Sequence, residues 1–215
     1  MERPLTEKKT QGERTLITAL LLSSPGPLVT GISAAMSLST TQIADFLRRS
    51  TELVAVFVSW LIYRKLHYTE LTTTEQQRWE RLADLCVGVA MAGGGVTMLL
   101  LATSRLSSYE ASGRVSMGLT IAVLGLLTNT WFWLRYRFLA REQADVVIAG
   151  QRELYRAKAC VDVCVVTALT AVAIAPLHPV TRYVDLVGSI TVSAYLLWNG
   201  VKMIRPKANL PAGNG

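Results

Sequence analysis

Four ionisable residues lie close together at Asp45, Arg48, Arg49 and Glu52, and two more at Lys158 and Asp162. The first four are spaced i, i+3, i+4 and i+7, which puts them in one stripe along a helix. Within the stripe Asp45 reaches Arg48 or Arg49, and Glu52 reaches either arginine from the next turn. Lys158 and Asp162 form an i, i+4 pair on a second helix. Each set is formally neutral. Carboxylates so placed can hold a cation, or the neighbouring bases can neutralise them. Two readings follow. One is structural ion pairing that keeps helices in register. The other is a polar transport site of Asp45, Arg48, Glu52, Lys158 and Asp162, with Glu52 and Asp162 as candidate metal-binding groups.

These groups matter because of what surrounds them. Only 17% of the 215 residues are charged, against about a quarter in an average soluble domain. Leu85 to Ser104 carries no charge, nor does Val115 to Leu134, and each run is long enough to cross a hydrocarbon core of about 30 Å. The expected architecture is an all-α membrane protein with six transmembrane helices. These run roughly Thr15 to Met36, Thr41 to Tyr63, Leu82 to Ser104, Val115 to Leu134, Leu154 to Ala175 and Pro179 to Met203. Residues 1–14 then form an N-terminal segment, 15–205 the membrane domain and 206–215 a short tail. Pro25-Gly26-Pro27 should kink or unwind the first span. The segment from Arg135 to Glu153 is expected to begin and end as helix extensions.

The cations set the orientation. With the N-terminus in the cytoplasm, 16 of the 22 Lys and Arg fall in inside segments and only Arg105, Arg114 and Arg182 in outside loops. That is a strong positive-inside bias, and an even span count puts both termini in the cytoplasm. The net charge of +7 is then accounted for by topology and by attraction to anionic lipid, so no nucleic-acid partner is implied. A multi-pass protein of the cell membrane is expected, with the lipid bilayer as its first partner. At about 1.5 Å per residue, Glu52 lies about 18 Å and Asp162 about 21 Å from the outer face. The two carboxylates can meet near mid-bilayer if their helices are neighbours.

Other features carry less. Cys160 and Cys164 are i, i+4 and Cys86 stands on another span, with no spacing for a disulfide framework or structural zinc. A soft-ion site there is the sharper reading, and small apolar packing residues the commoner one. His67 and His178 fall in or near loops on opposite sides, where solvated side chains are expected. Gly93-Gly94-Gly95 with Gly88 and Ala92 suits close helix packing, with a hinge as the alternative. There is no nucleophile elbow, paired-histidine motif or phosphate loop. An enzyme is not expected, nor a bound cofactor.

Gly31 to Leu61, with Ser39, Ala44-Asp45, Arg48 and Glu52 ahead of an apolar helix, resembles the first two spans of cation diffusion facilitators. Arg78-Trp79-Glu80-Arg81, Asn129, and the last span from Tyr183-Val184-Asp185 to Asn199-Gly200-Val201 are similar to the same family. The resemblance implies a six-helix membrane domain, a homodimer, and export of a divalent metal by proton exchange. It also implies a tetrahedral site with two residues, four apart, on each of the second and fifth spans. By position these are Arg48 and Glu52, with Lys158 and Asp162 or, three residues on, Val161 and Val165. Zinc needs Asp, His or Cys donors, and Arg and Lys are not donors at neutral pH. Either the built-in cations replace the metal, or Asp45 joins Glu52 and Asp162 in a set suited to manganese or magnesium. The alternative function is a non-transporting relative that serves as a membrane scaffold or partner subunit. The cytosolic domain that follows the sixth span in many members is not expected here.

Overall fold

The computed structural model describes the backbone of residues 5–37, 40–107, 115–174 and 179–205. The side chains at 5–8, 33–34, 36–37, 40–45, 104–107, 115–118, 172 and 179–185 lie outside the described residues, as do 1–4 and 206–215. The described chain is helical: α1 (Leu5–Ser23), α2 (Pro25–Ser37), α3 (Thr40–Tyr68), α4 (Thr73–Ser107), α5 (Val115–Glu142), α6 (Val146–Ile174) and α7 (Pro179–Ile204). The expected first span is the broken rod α1–α2, and the other five spans are α3 to α7. Helix starts at Leu5, so residues 5–14 continue the first span as helix.

Local chemistry sets the boundaries. Pro25 has no N–H for the helix ahead of it but suits the first position of a new one. The rod therefore breaks at Ser24, whose hydroxyl bonds the carbonyl of Leu21. At the start of α4, the Thr72 N–H donates to Glu75 (3.0 Å) and the Glu75 N–H to the Thr72 hydroxyl (3.4 Å), a reciprocal capping box. Asp145 Oδ1 accepts the Ile148 N–H at 2.9 Å and starts α6. Arg81 of α4 donates to the carbonyls of Met203, Ile204 and Arg205 and so closes α7. The expected extensions are present, since only Gln143 to Asp145 separate α5 from α6.

Two antiparallel pairs dominate the packing, α4 with α7 and α5 with α6. Glycine allows the first to pack backbone to backbone. A Cβ on Gly200 would stand 2.6 Å from the Ala92 nitrogen and 2.7 Å from the Gly88 carbonyl, and one on Gly95 would stand 2.9 Å from Leu197. The Ser193 hydroxyl donates to the Gly95 carbonyl across the same contact at 2.6 Å. Helix α4 runs unbroken through Gly93 to Gly95.

Helices α3 and α6 meet differently. They touch through long polar side chains whose numbers fall on one helix as they rise on the other. Glu52 meets Lys158, Ser59 meets Gln151, and His67 meets Asp145 at the turn before α6. Between the polar pairs lies a core of Val56, Ile62, Tyr63, Ile148, Leu154 and Tyr155, each at most 2% exposed.

The outer surface is apolar. Leu124, Leu127, Trp131 and Leu134 of α5 and Val187, Ile190, Trp198 and Val201 of α7 are exposed, as befits a surface that meets lipid. Among the described residues, Lys9–Ile32 and Thr73–Thr103 are long and apolar enough to cross a membrane by length and composition alone. The charges of α3 and of α6 dilute the same signal there.

Candidate functional site

A cavity of about 240 Å³ opens where α3 and α6 carry their intramembrane charges. Its walls include Ser23 at the end of α1, Gly26 and Pro27 of α2, Arg48, Arg49 and Glu52 of α3, Gly125, Thr128 and Asn129 of α5, and Lys158 and Asp162 of α6. The broken first span supplies one wall, because the chain turns at Ser24 and leaves room for the Arg49 side chain beside Gly26. Gly125 supplies another. A Cβ there would lie only 3.7 Å from Asp162.

Glu52 sits between two cations. Lys158 Nζ lies 3.2 Å from Oε2, and the Arg48 guanidinium lies 3.9 Å from Oε1. The side chains are 10% exposed at Lys158, 15% at Arg48 and 16% at Glu52, so water screens the pairs weakly. The ammonium also rests 4.8 Å from the centre of the Tyr155 ring. Asp162 is bound by a neutral group, since Asn129 Nδ2 donates to its Oδ2 at 2.7 Å. The two acids thus share one cavity with unlike partners.

One turn further toward the α5–α6 turn, Phe132, Tyr136 and Tyr155 close the space. Their ring centres are 5.0 to 6.2 Å apart and all three are fully buried. The Tyr155 hydroxyl reaches back to the Ser23 hydroxyl at 3.2 Å. This aromatic floor separates the cavity from the basic end of the bundle.

Of the residues singled out in the sequence, Arg48, Glu52, Lys158 and Asp162 come together. The side chain of Asp45 lies outside the described residues, and so does His178. The alternative register does not face the cavity, because Val161 packs into the core and Val165 is exposed. Cys160 is exposed, Cys86 and Cys164 are half-buried, and all three are free thiols. Among the described residues no group of three or more His, Cys, Asp or Glu is placed to hold a metal ion. A four-donor zinc set does not fit the side chains present.

His67 needs correction. The expected solvated loop residue is a member of α3 with its ring stacked on Tyr63, the centres 4.1 Å apart. The reason is that α3 continues past the apolar run to Tyr68, so His67 falls under α1 and the α5–α6 turn. Sequence reasoning also missed the contact of Asn129 with Asp162 and the place of Tyr155 under Lys158. A lone asparagine in an otherwise apolar run was the available signal for the first. Nothing marked the second.

A helical bundle with an apolar exterior and a charged cavity between its helices is the form of a polytopic membrane protein. The sequence profile of the cation efflux transmembrane domain matches residues 16–209, and the chain belongs to that family. It is a family of cation transporters, not of enzymes. Comparison with curated proteins returns no match.

Proposed function

We propose that this chain is a cation efflux transporter that moves a cation through the cavity between α2, α3, α5 and α6 in exchange for a proton. The observation that carries this reading is the cavity itself, with two carboxylates, Glu52 and Asp162, at its wall. The cation is the substrate. To reach Glu52 it must displace the Lys158 ammonium, whereas Asp162 presents a carboxylate steadied by Asn129. Two carboxylates with water suit a hard divalent ion better than zinc. The basic end of the bundle is assigned to the cytoplasm by the charge asymmetry, which places the cavity on the outer side of the aromatic floor. A homodimer in the cell membrane is carried over from the family resemblance.

The test is uptake of zinc, manganese, cobalt and iron into proteoliposomes under a proton gradient. Flux of at least one ion is expected, with loss in both Glu52→Gln and Asp162→Asn. Absence of flux for all four ions would remove the transport reading, and full activity of both variants would remove the site.

The second reading is a non-transporting partner subunit. It is favoured by the short Lys158–Glu52 contact, in which a fixed ammonium holds the place of a travelling cation. Under it, no variant gains or loses flux, and Lys158 variants lose stability alone.

A further inference from the structure

At the basic end, far from the cavity, one imidazole joins three parts of the chain. His67 Nδ1 faces the Tyr63 carbonyl at 3.0 Å and Nε2 faces Asp145 Oδ2 at 3.4 Å. Both ring nitrogens thus point at acceptors. A neutral imidazole has one N–H and can serve only one of them, whereas the imidazolium serves both. The pair is largely enclosed, with His67 19% and Asp145 11% exposed.

The neighbouring groups do not replace this contact. From α1, Lys9 Nζ lies 3.4 Å from the His67 carbonyl and leaves the ring alone. Glu13 is occupied by Arg64 at 3.3 Å and by the Tyr68 hydroxyl at 2.9 Å. From α3, the Tyr63 hydroxyl is shared between the Lys9 carbonyl and Gln143. From α4, Glu80 lies near enough to Asp145 to oppose its charge. The contacts of α1 with α3 therefore survive a change of charge at His67. The link from α3 to the α5–α6 turn loses its ionic element, His67 with Asp145, and keeps the long Tyr63–Gln143 hydrogen bond.

We propose that His67 and Asp145 form a proton-operated clasp: the imidazolium holds the start of α6 against the end of α3, and loss of its proton releases the α5–α6 turn. The clasp is closed on acidification and open on alkalinisation of the basic face. Histidine is the side chain that ordinarily exchanges a proton near neutral pH. Burial pushes the Asp145 carboxyl above its ordinary value, partly offset by the Ile148 N–H and by His67. The ionic pair requires the Asp145 carboxylate and the His67 imidazolium together. Helices α3 and α6 carry Glu52 and Lys158 near their midpoints, so the clasp fixes one end of the two helices whose middles bear the cavity. The inference stands whatever the cavity carries.

The experiment is hydrogen–deuterium exchange of the whole protein in lipid nanodiscs at pH 6 and pH 8, corrected for intrinsic rates and read over residues 142–150. In the unmodified protein, protection should fall about tenfold from pH 6 to pH 8, the factor of one charge-assisted hydrogen bond. His67→Gln and Asp145→Asn should each remove the pH dependence. Asparagine still caps α6, so the second variant keeps the helix start. Equal protection at both pH values in the unmodified protein would overturn the proposal. So would the same fall in either variant.

Discussion

Glu52 is held by two cations of unequal reach, and their removal should be unequal too. Lys158→Ala deletes the partner at 3.2 Å, while Arg48→Ala deletes one at 3.9 Å on the same helix. Breaking a buried pair by deleting one partner typically costs about 3–5 kcal/mol, so Lys158→Ala should lower the thermal midpoint strongly and Arg48→Ala by less. The double variant Lys158→Met with Glu52→Gln removes both charges of the 3.2 Å pair, leaving Arg48 without its Glu52 contact, and should recover part of the loss. Thermal unfolding in detergent, followed for the single and double variants, checks both statements. Failure of the double variant to recover would mean that the ammonium contributes through Tyr155 or its packed stem instead. Asp145 gives a pH-dependent case. Because burial raises its carboxyl, the ionised form is disfavoured in the fold, and that cost appears as pH rises through the raised value. Once His67 has lost its proton the carboxylate has lost its cation. Asp145→Asn should therefore be more stable than the unmodified protein at pH 8.5, with the difference shrinking or reversing near pH 6, as thermal midpoints at the two pH values will show.

Among the elements, α4 and α7 form the stiffest contact, and glycines make it so. A methyl on Gly200 meets backbone of Ala92 and Gly88 at under 3 Å, whereas one on Gly93 meets nothing within 4 Å. Gly200→Ala must therefore push the helices apart, at a cost of about 1–3 kcal/mol for overpacking. Gly93→Ala should be neutral or stabilising by up to about 1 kcal/mol through helix propensity. Measured side by side, the two thermal midpoints separate packing from propensity. An equal effect would discard the close-approach account. The element level was also the most legible in the sequence. Apolar stretches marked the six expected helices, not all of them free of charge, and Pro25-Gly26-Pro27 marked the break that became a wall of the cavity. The helix ends were less legible, because helices continue in water after apolar character stops. Thus α4 begins at Thr73, well before the apolar run, where the Thr72–Glu75 cap sets it. The stripe on α3 and the pair on α6 were readable because i, i+4 spacing is local. His67 with Asp145 and Asn129 with Asp162 were not, since partners 78 and 33 positions apart meet only through the packing of whole helices.

Across the whole molecule, charge is sorted by depth: bases gather at one end, neutral pairs lie within, and apolar side chains face outward. The topology this implies has a direct check. Single cysteines placed near residue 2 and near residue 212, in a protein whose three native cysteines are replaced, should both be labelled only from the cytoplasmic side. Labelling from opposite sides would require an odd number of crossings and would contradict the charge asymmetry.

The polar contacts of α3 with α6 have a mechanical consequence. Glu52–Lys158, Ser59–Gln151 and His67–Asp145 act as teeth that read the register of the two helices. Sliding α6 by four residues one way would set Asp162 against Glu52, acid against acid. Sliding it the other way would set Leu154 there and leave the carboxylate with Arg48 alone, without its nearer cation. Axial slip is therefore blocked in both directions, while parting the teeth sideways breaks only side-chain contacts. Any large movement between these helices must proceed by tilting open along the seam, as a zip parts, with the His67 end as its fastener.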